Sequence, residues 1–252
     1  MLEPAEGGTG LVFVRDDLAG KPSIQAVPGN IVESERCTSL AGGGATVRTV
    51  EHVLAACRLA ILDNAVIRVT GEELPAADGS AAEYLAAISE AGLTEQYVRI
   101  PAPGLSAPLV CGDRNGRRIE AEPAPGAFFT YKFAPPGPLA GREASYEDGK
   151  DDPRATARSR TFCFEAEIRA IIEAGLGRGG NADNVLVLKP DGSPLNGARS
   201  GDEPARHKLL DLVGDLAIAG LFHARVTAVG TGHRQNAEFV RMLTAKLAVK
   251  EA

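Results

Sequence analysis

The chain holds little of the material from which catalytic or binding chemistry is usually read. Its four histidines and four cysteines are spread over 252 residues. No two cysteines stand in Cys-x-x-Cys spacing, so neither a cysteine-based zinc site nor a disulfide framework is indicated. Cys37, Cys57, Cys111 and Cys163 read instead as free thiols of a reducing compartment. No apolar run approaches the roughly 20 residues of a membrane-spanning helix. The acidic start, Met-Leu-Glu-Pro-Ala-Glu, lacks the apolar core of a signal peptide. A formal net charge of −6 offers no basic stripe to a nucleic acid. The expectation is a soluble, cytoplasmic monomer with one large or two small domains.

What is present falls into two rounds of strands followed by helices. Residues 11–15 read as a strand, 24–31 as a weaker one broken by Pro28-Gly29, and 37–40 as extended chain before the Gly42-Gly-Gly44 turn. Thr49 reads as the N-cap of a helix reaching Ala60, with Glu51 in its first turn. A β-branched strand over 64–70 and a helix over 81–90, opened by Asp78-Gly-Ser80 and closed by Gly92, complete the first round. Tyr97-Val-Arg-Ile-Pro-Ala-Pro-Gly104 has the composition of an interdomain crossing. Strands over 109–111, 117–122 and 128–133 follow, then a charged, Pro- and Gly-rich stretch over 135–157 that reads as a long surface loop. Helix over 165–174, strand over 184–188, helix over 206–221, strand over 226–229 and helix over 236–248 close the chain. The pattern predicts an α+β fold of two layers, divided into residues 1–99 and 100–252.

His207 and Asp211 lie four apart in the predicted helix, so both side chains leave one face a turn apart and can share one Zn²⁺. Lys208 and Asp215 flank them. Alone, this spacing is equally that of a solvated helix face. Glu51-His52 opens the first helix and offers a third ligand beside a carboxylate, although a glutamate in a first turn also simply favours the positive end of a helix. Gly232-His233 lies between a strand and a helix, where the imidazole can project into a cleft or merely cap the helix. His223 has no such setting and reads as structural. Together these segments supply the parts of a metal hydrolase. His52, His207 and Asp211 are three ligands with a fourth position open. Glu51 is a carboxylate base for the attacking water. His233 can protonate a departing amine or stabilise an oxyanion, with Asp215 orienting its ring.

Glu51-His52, His207-Lys208-x-x-Asp211-x-x-x-Asp215 and Gly232-His233-x-x-Asn236 resemble the motifs of the zinc-dependent UDP-3-O-acyl-N-acetylglucosamine deacetylases of lipid A synthesis. Further matches are Leu74-Pro-Ala-Ala-Asp-Gly-Ser-Ala-Ala82, Ser159-Arg-Thr-Phe-Cys-Phe164 and Gly179-Gly-Asn-Ala-Asp-Asn184. The resemblance runs in order from Gly10 to Val249. It implies two βααβ-type domains packed with the active site between them, the first supplying Glu51 and His52, the second His207, Asp211 and His233. It implies zinc on His52, His207 and Asp211, with Glu51 activating water. It further implies Thr161 as hydroxyl donor to the oxyanion, Phe162 at the substrate's border, Lys208 on the substrate's polar portion, and His233 paired with Asp215 as acid or electrostatic stabiliser. Sequence leaves open whether Glu51 or His233 carries the leaving-group proton. Two imidazoles and a carboxylate also accept Fe²⁺ or Co²⁺. The implied substrate is a nucleotide-sugar glycolipid precursor.

Three departures from the family pattern stand out. The chain starts near what would be the third strand, so either the true start lies upstream or a sheet edge is exposed. Gly230 stands where the family carries Lys or Arg, three residues before the Gly-His histidine, with Arg234 as a substitute cation. Cys163 replaces a glycine beside Thr161 and Phe162. These departures keep two alternatives in view: a deacetylase of a different N-acetyl sugar, and a non-catalytic zinc- or ligand-binding relative. An intact Glu51, Thr161 and His233 speaks against the second.

Overall fold

The computed structural model describes residues 1–96, 102–135, 137 and 139–247. The crossing expected over 97–104 lies mostly outside them. Chain order begins with β1 (Leu2–Pro4), β2 (Leu11–Arg15), β3 (Ser23–Gln25), β4 (Ile31–Val32), β5 (Ser39–Gly42), β6 (Ala45–Arg48), α1 (Glu51–Leu59), β7 (Ala65–Val69) and α2 (Ala82–Ala91). It continues with β8 (Leu109–Gly112), β9 (Arg118–Glu122), β10 (Ala127–Phe133), β11 (Arg142–Glu147), α3 (Pro153–Ala157) and β12 (Phe162–Phe164). The remaining elements are α4 (Ile168–Glu173), β13 (Leu186–Leu188), α5 (Glu203–Ala217), β14 (Ala224–Val229) and α6 (His233–Leu247).

The α+β expectation holds, and the two rounds of the sequence are visible in the sheets. The first large sheet runs β1-β7-β2-β3 and the second β11-β10-β14-β9-β8. Each contains one parallel pair, β2 with β7 and β10 with β14, among antiparallel neighbours. A parallel pair needs a crossover. The first crossover carries α1 and the second α5. These two helices pack on one another at the centre of the molecule, with α2 against α1 and α6 against α5. Every residue of α1 is buried. Two smaller sheets, β4-β5-β6 and β12-β13, flank this centre.

Two expectations are corrected. Thr49 is not the N-cap of α1: its φ is +58°, Val50 takes the cap position, and the Thr49 hydroxyl donates to Glu73 at 3.1 Å. The left-handed turn at Thr49 swings the chain sharply from β6 into the helix, which matters more here than a side-chain cap. The stretch 135–157 is not one loop. β11 forms the edge of the second sheet, burying Ala144 and Tyr146 while its charged residues face outward. Asp152 then caps α3 by accepting from the Arg154 N–H at 3.0 Å. Composition hid the two-residue period of that edge strand. α5 also begins earlier than predicted, because Pro204 is tolerated within a first turn that needs no N–H there.

Two contacts hold the centre together. Arg58 on α1 donates to Asp148 at 2.5 Å and lies 5.5 and 5.3 Å from the ring centroids of Phe129 and Phe222. It thus ties α1 to the second sheet, and removal of one partner from such a buried pair costs about 3–5 kcal/mol. The tighter contact is Gly214 on α5. A Cβ there would stand 2.0 Å from the Glu51 carbonyl oxygen and 3.2 Å from the Ala55 Cβ. The two helices cross backbone to backbone.

The substitution Gly214→Ala tests that crossing by its sign. In a permissive helix position alanine gains about 1 kcal/mol over glycine. Here it is expected to lose about 3 kcal/mol, because the obstructing atom is backbone and cannot rotate away. Urea unfolding should show a lower midpoint at unchanged slope; a raised midpoint would mean the helices separate at no cost.

Candidate metal centre and active site

Below that crossing the predicted ligands converge. On α5, one helical turn separates His207 from Asp211, and the Nε2 to Oδ1 distance is 3.3 Å. The first turn of α1 brings His52 Nε2 to 3.8 Å from the same oxygen. The imidazoles sit edge to face, 5.3 Å between centroids. One ligand atom from each of the three side chains lies within 4.8 Å of the others, and all three residues are buried. Asp211 Oδ1 is sealed from solvent and has no hydrogen-bond partner among the described residues. An orphaned carboxylate oxygen facing two imidazoles suits a divalent cation, since leaving it bare would be costly.

The neighbours prepare the ligands for that role. His207 Nδ1 lies 3.0 Å from the Ser159 carbonyl, which accepts its proton and leaves Nε2 as the free donor atom. Burial holds His207 below the usual imidazole range, and burial together with His207 pushes His52 down to about 3. Both rings are therefore neutral at physiological pH, as ligation requires. The other oxygen of Asp211 accepts from Lys208 Nζ at 2.6 Å. Burial alone would push Asp211 up, but His207, Lys208 and His233 outweigh it and hold the carboxylate well below its usual range. Lys208 is raised in turn: its burial opposes the charge, and Asp211 overcomes that.

Glu51 and His233 lie on either side of this cluster with their proton affinities displaced. Burial, reinforced by Asp211 and Asp215 against the opposing pull of His233, lifts Glu51 to about 7. Burial would lower His233, but Asp215 and Asp211 raise it to about 10. Its Nδ1 is 2.9 Å from Asp215 Oδ2, and its Nε2 points toward Asp211 Oδ2 at 3.8 Å. Asp215 Oδ2 also accepts from Asn236 Nδ2 at 2.7 Å, and Asn236 Oδ1 accepts from the Thr231 hydroxyl at 3.0 Å. His233 thus stands on the first turn of α6 with its inner nitrogen engaged.

Phe162 opens β12, and Thr161 immediately precedes it. The Phe162 ring lies edge-on to His207, 6.0 Å between centroids, and forms a wall of the site. Thr161 donates its N–H to the Gly79 carbonyl at 2.7 Å and accepts from Leu186 N–H at 2.8 Å. Its hydroxyl has no partner among the described residues. Gly79 has φ +79°, and a Cβ there would stand 1.7 Å from the Asn184 oxygen, so the Asp78-Gly-Ser80 turn supports Thr161 from behind. Arg160, next in line, donates to the fully buried Glu203 through Nε at 2.9 Å and through its backbone N–H at 3.1 Å. His223 stands apart from the cluster; its backbone bonds to Pro103 and Leu105.

Sequence reasoning missed three contributors. Thr38 donates its N–H to Glu51 Oε2 at 2.9 Å and its hydroxyl to Asp215 Oδ1 at 2.5 Å. Ser159 acts through a carbonyl, which any residue has. Glu203 precedes the stretch of α5 in which the ligands were sought, although its spacing from His207 repeats that of His207 from Asp211.

A buried His-His-Asp cluster, with a carboxylate and an imidazolium beside it at a helix crossing in an α+β fold, defines a metal-dependent hydrolase. The chain belongs to the UDP-3-O-acyl N-acetylglycosamine deacetylase family, whose profile matches residues 1–245. It is similar to the UDP-3-O-acyl-N-acetylglucosamine deacetylase of Chlamydia caviae, 37% identical over 240 residues covering 93% of this chain and 85% of the relative. The protein of that name from Thermosynechococcus vestitus is 39% identical over 219 residues, 87% of this chain and 76% of the relative. That from an Anaeromyxobacter species is 38% identical over 255 residues, 97% of this chain and 81% of the relative.

Metal titration monitored by calorimetry and thermal melting checks the cluster. A divalent ion is expected to bind at one site per chain and, at a hundred times its Kd, to stabilise the fold by about 2.7 kcal/mol. His52→Ala and Asp211→Ala should each abolish that stabilisation; retention in both variants would place the metal elsewhere.

Proposed function

We propose that this chain hydrolyses the 2-acetamido group of UDP-3-O-acyl-N-acetylglucosamine, giving acetate and the free amine destined for lipid A. In this reading His52, His207 and Asp211 hold zinc, and residues 1–99 and 100–252 contribute the two sides of the cleft. The observation that carries it is the unpartnered, buried Asp211 oxygen facing two neutral imidazoles, with Glu51 and His233 poised on either side. A dication held there polarises an amide carbonyl and makes water a competent nucleophile near neutral pH.

The protein's own groups do the rest. Glu51 takes the proton from water as its oxygen attacks the amide carbon; a carboxyl near neutrality both accepts and returns a proton at working pH. The Thr161 hydroxyl, free of internal partners, donates to the oxyanion as the carbonyl becomes tetrahedral. His233, an imidazolium fixed through Nδ1, presents Nε2 to the same region and offsets the growing negative charge. Collapse then breaks the carbon–nitrogen bond, and the departing amine takes a proton from Glu51 or His233. Lys208 orients Asp211 and offers its remaining N–H groups to polar substrate atoms. Phe162 borders the sugar. The reading sets the reaction in the cytoplasm on a nucleotide-linked glycolipid precursor.

A second reading, deacetylation of a different N-acetyl sugar, rests on Gly230. Its φ is +60°, a conformation that suits glycine and not the Lys or Arg expected there. Comparing UDP-linked with nucleotide-free acyl glucosamines distinguishes the two.

Acetate release from the UDP substrate is the direct test. Chelation should abolish it and zinc restore it. Glu51→Ala should keep the metal yet lower kcat about a thousandfold, because it removes the base and spares the ligands. Unchanged turnover in that variant would remove Glu51 from the mechanism.

A further inference from the structure

Thr38 reaches the site from the turn before β5 and contributes no ligand and no acid or base of its own. It is 4% exposed. Its hydroxyl donates to Asp215 Oδ1 at 2.5 Å, which leaves Oδ2 to the His233 Nδ1–H at 2.9 Å and to Asn236 at 2.7 Å. The hydroxyl oxygen is also 3.2 Å from His233 Nδ1, close enough to share that proton as a second acceptor. On its other side the Thr38 N–H donates to Glu51 Oε2 at 2.9 Å, and Oε1 has no partner among the described residues. One residue therefore touches both Glu51 and His233, the two groups that can give the departing amine its proton.

We infer that Thr38 is a positioning residue: its hydroxyl fixes the Asp215–His233 pair so that Nε2 faces the reacting centre, and its amide fixes Glu51 so that one oxygen stays free. The inference rests on the deacetylase reading for its kinetic consequence and on geometry alone for its structural one. An imidazole held by a single carboxylate oxygen retains rotational freedom about that bond. A carboxylate pinned at Oδ1 by Thr38 and a second acceptor beside Nδ1 remove that freedom. Pre-orientation of this kind acts on the transition state and leaves ground-state binding alone.

The decisive comparison is Thr38→Val, which keeps the shape and deletes the hydroxyl, with Thr38→Ser, which keeps the hydroxyl. In the zinc-loaded full chain Thr38→Val should lower kcat about ten- to a hundredfold, the worth of a hydrogen bond to a charged group, while metal content stays at one per chain. KM should remain within about twofold. Thr38→Ser should recover kcat to within about threefold of the parent chain. In a His233→Ala background Thr38→Val should cost less than about twofold more, because its route of action is already gone. Histidine-ring ¹⁵N–¹H spectra should show a protected Nδ1–H at His233 that survives in Thr38→Ser and broadens in Thr38→Val. Parent-like kcat in the valine variant, equal losses in valine and serine, or full additivity with His233→Ala would each overturn the inference. So would the absence of a protected Nδ1–H from the parent spectrum, a measurement that holds even if Thr38→Val does not fold. Failure of the deacetylase reading is distinguishable, because the parent chain would then release no acetate while the ring spectra still decide what Thr38 holds.

Discussion

The close crossing of α1 and α5 is the constraint on which the site depends. Gly214 lies against the Glu51 carbonyl at a distance no side chain can share. Glu51 is itself that point of contact and His52 follows it on α1, while Asp211 and Asp215 lie on either side of Gly214 on α5. If the axes separated by the width of a methyl group, His52 would withdraw from Asp211 by a comparable amount. Metal ligation tolerates only a few tenths of an ångström. The site's dimensions are therefore set by backbone packing, and Ala55 and Ala56 on α1 keep that packing slim.

Electrostatics follow from this geometry. Asp211 and Asp215, both buried, face the partly buried cations Lys208 and His233, two charges against two. Glu51 is the surplus acid, and burial beside two other carboxylates lifts it to about 7. A dication at the triad adds positive charge beside Glu51 and favours its ionised form, which is the form a base requires. Groups of one chemical kind thus take different roles because their surroundings push them apart.

How much of this was legible in the sequence depended on whether the relevant contact is local. His207 and Asp211 could be paired from spacing because a helix fixes what four residues mean, and Glu51-His52 could be joined to them because few other candidates existed. Thr38 could not be found: its bond to Asp215 spans 177 residues and uses a hydroxyl of ordinary type. Gly214 reads in sequence as a mere weakness in a helix, and its purpose exists only once α1 is laid against it. Thr49 was misread as a cap because the cap rule sees residue type, whereas the backbone there turns left-handed. β11 was missed because its outward residues are charged, and two inward side chains in six make a faint period.

The placement of polar groups along α5 shows how the pieces are assembled. Glu203, His207, Asp211 and Asp215 recur every four residues and are 0%, 4%, 2% and 2% exposed. A four-residue step on a 3.6-residue helix keeps them on one gently winding stripe. Each member secures a different segment. Glu203 binds Arg160 and so the approach to Thr161; His207 binds the Ser159 carbonyl; Asp211 meets His52 and Lys208; Asp215 gathers Thr38, His233 and Asn236. Four ionisable residues buried on one helix would cost far more than a helix could recover if they lacked partners. With partners, the same desolvation becomes specificity, because a segment that arrived in the wrong register would leave a member of the stripe bare. Among the described residues, Asp211 Oδ1 is the one carboxylate oxygen of the stripe that is buried with no hydrogen-bond partner. It is the atom that faces the two imidazoles, so the stripe stays short of a partner at the point where a divalent cation would supply one.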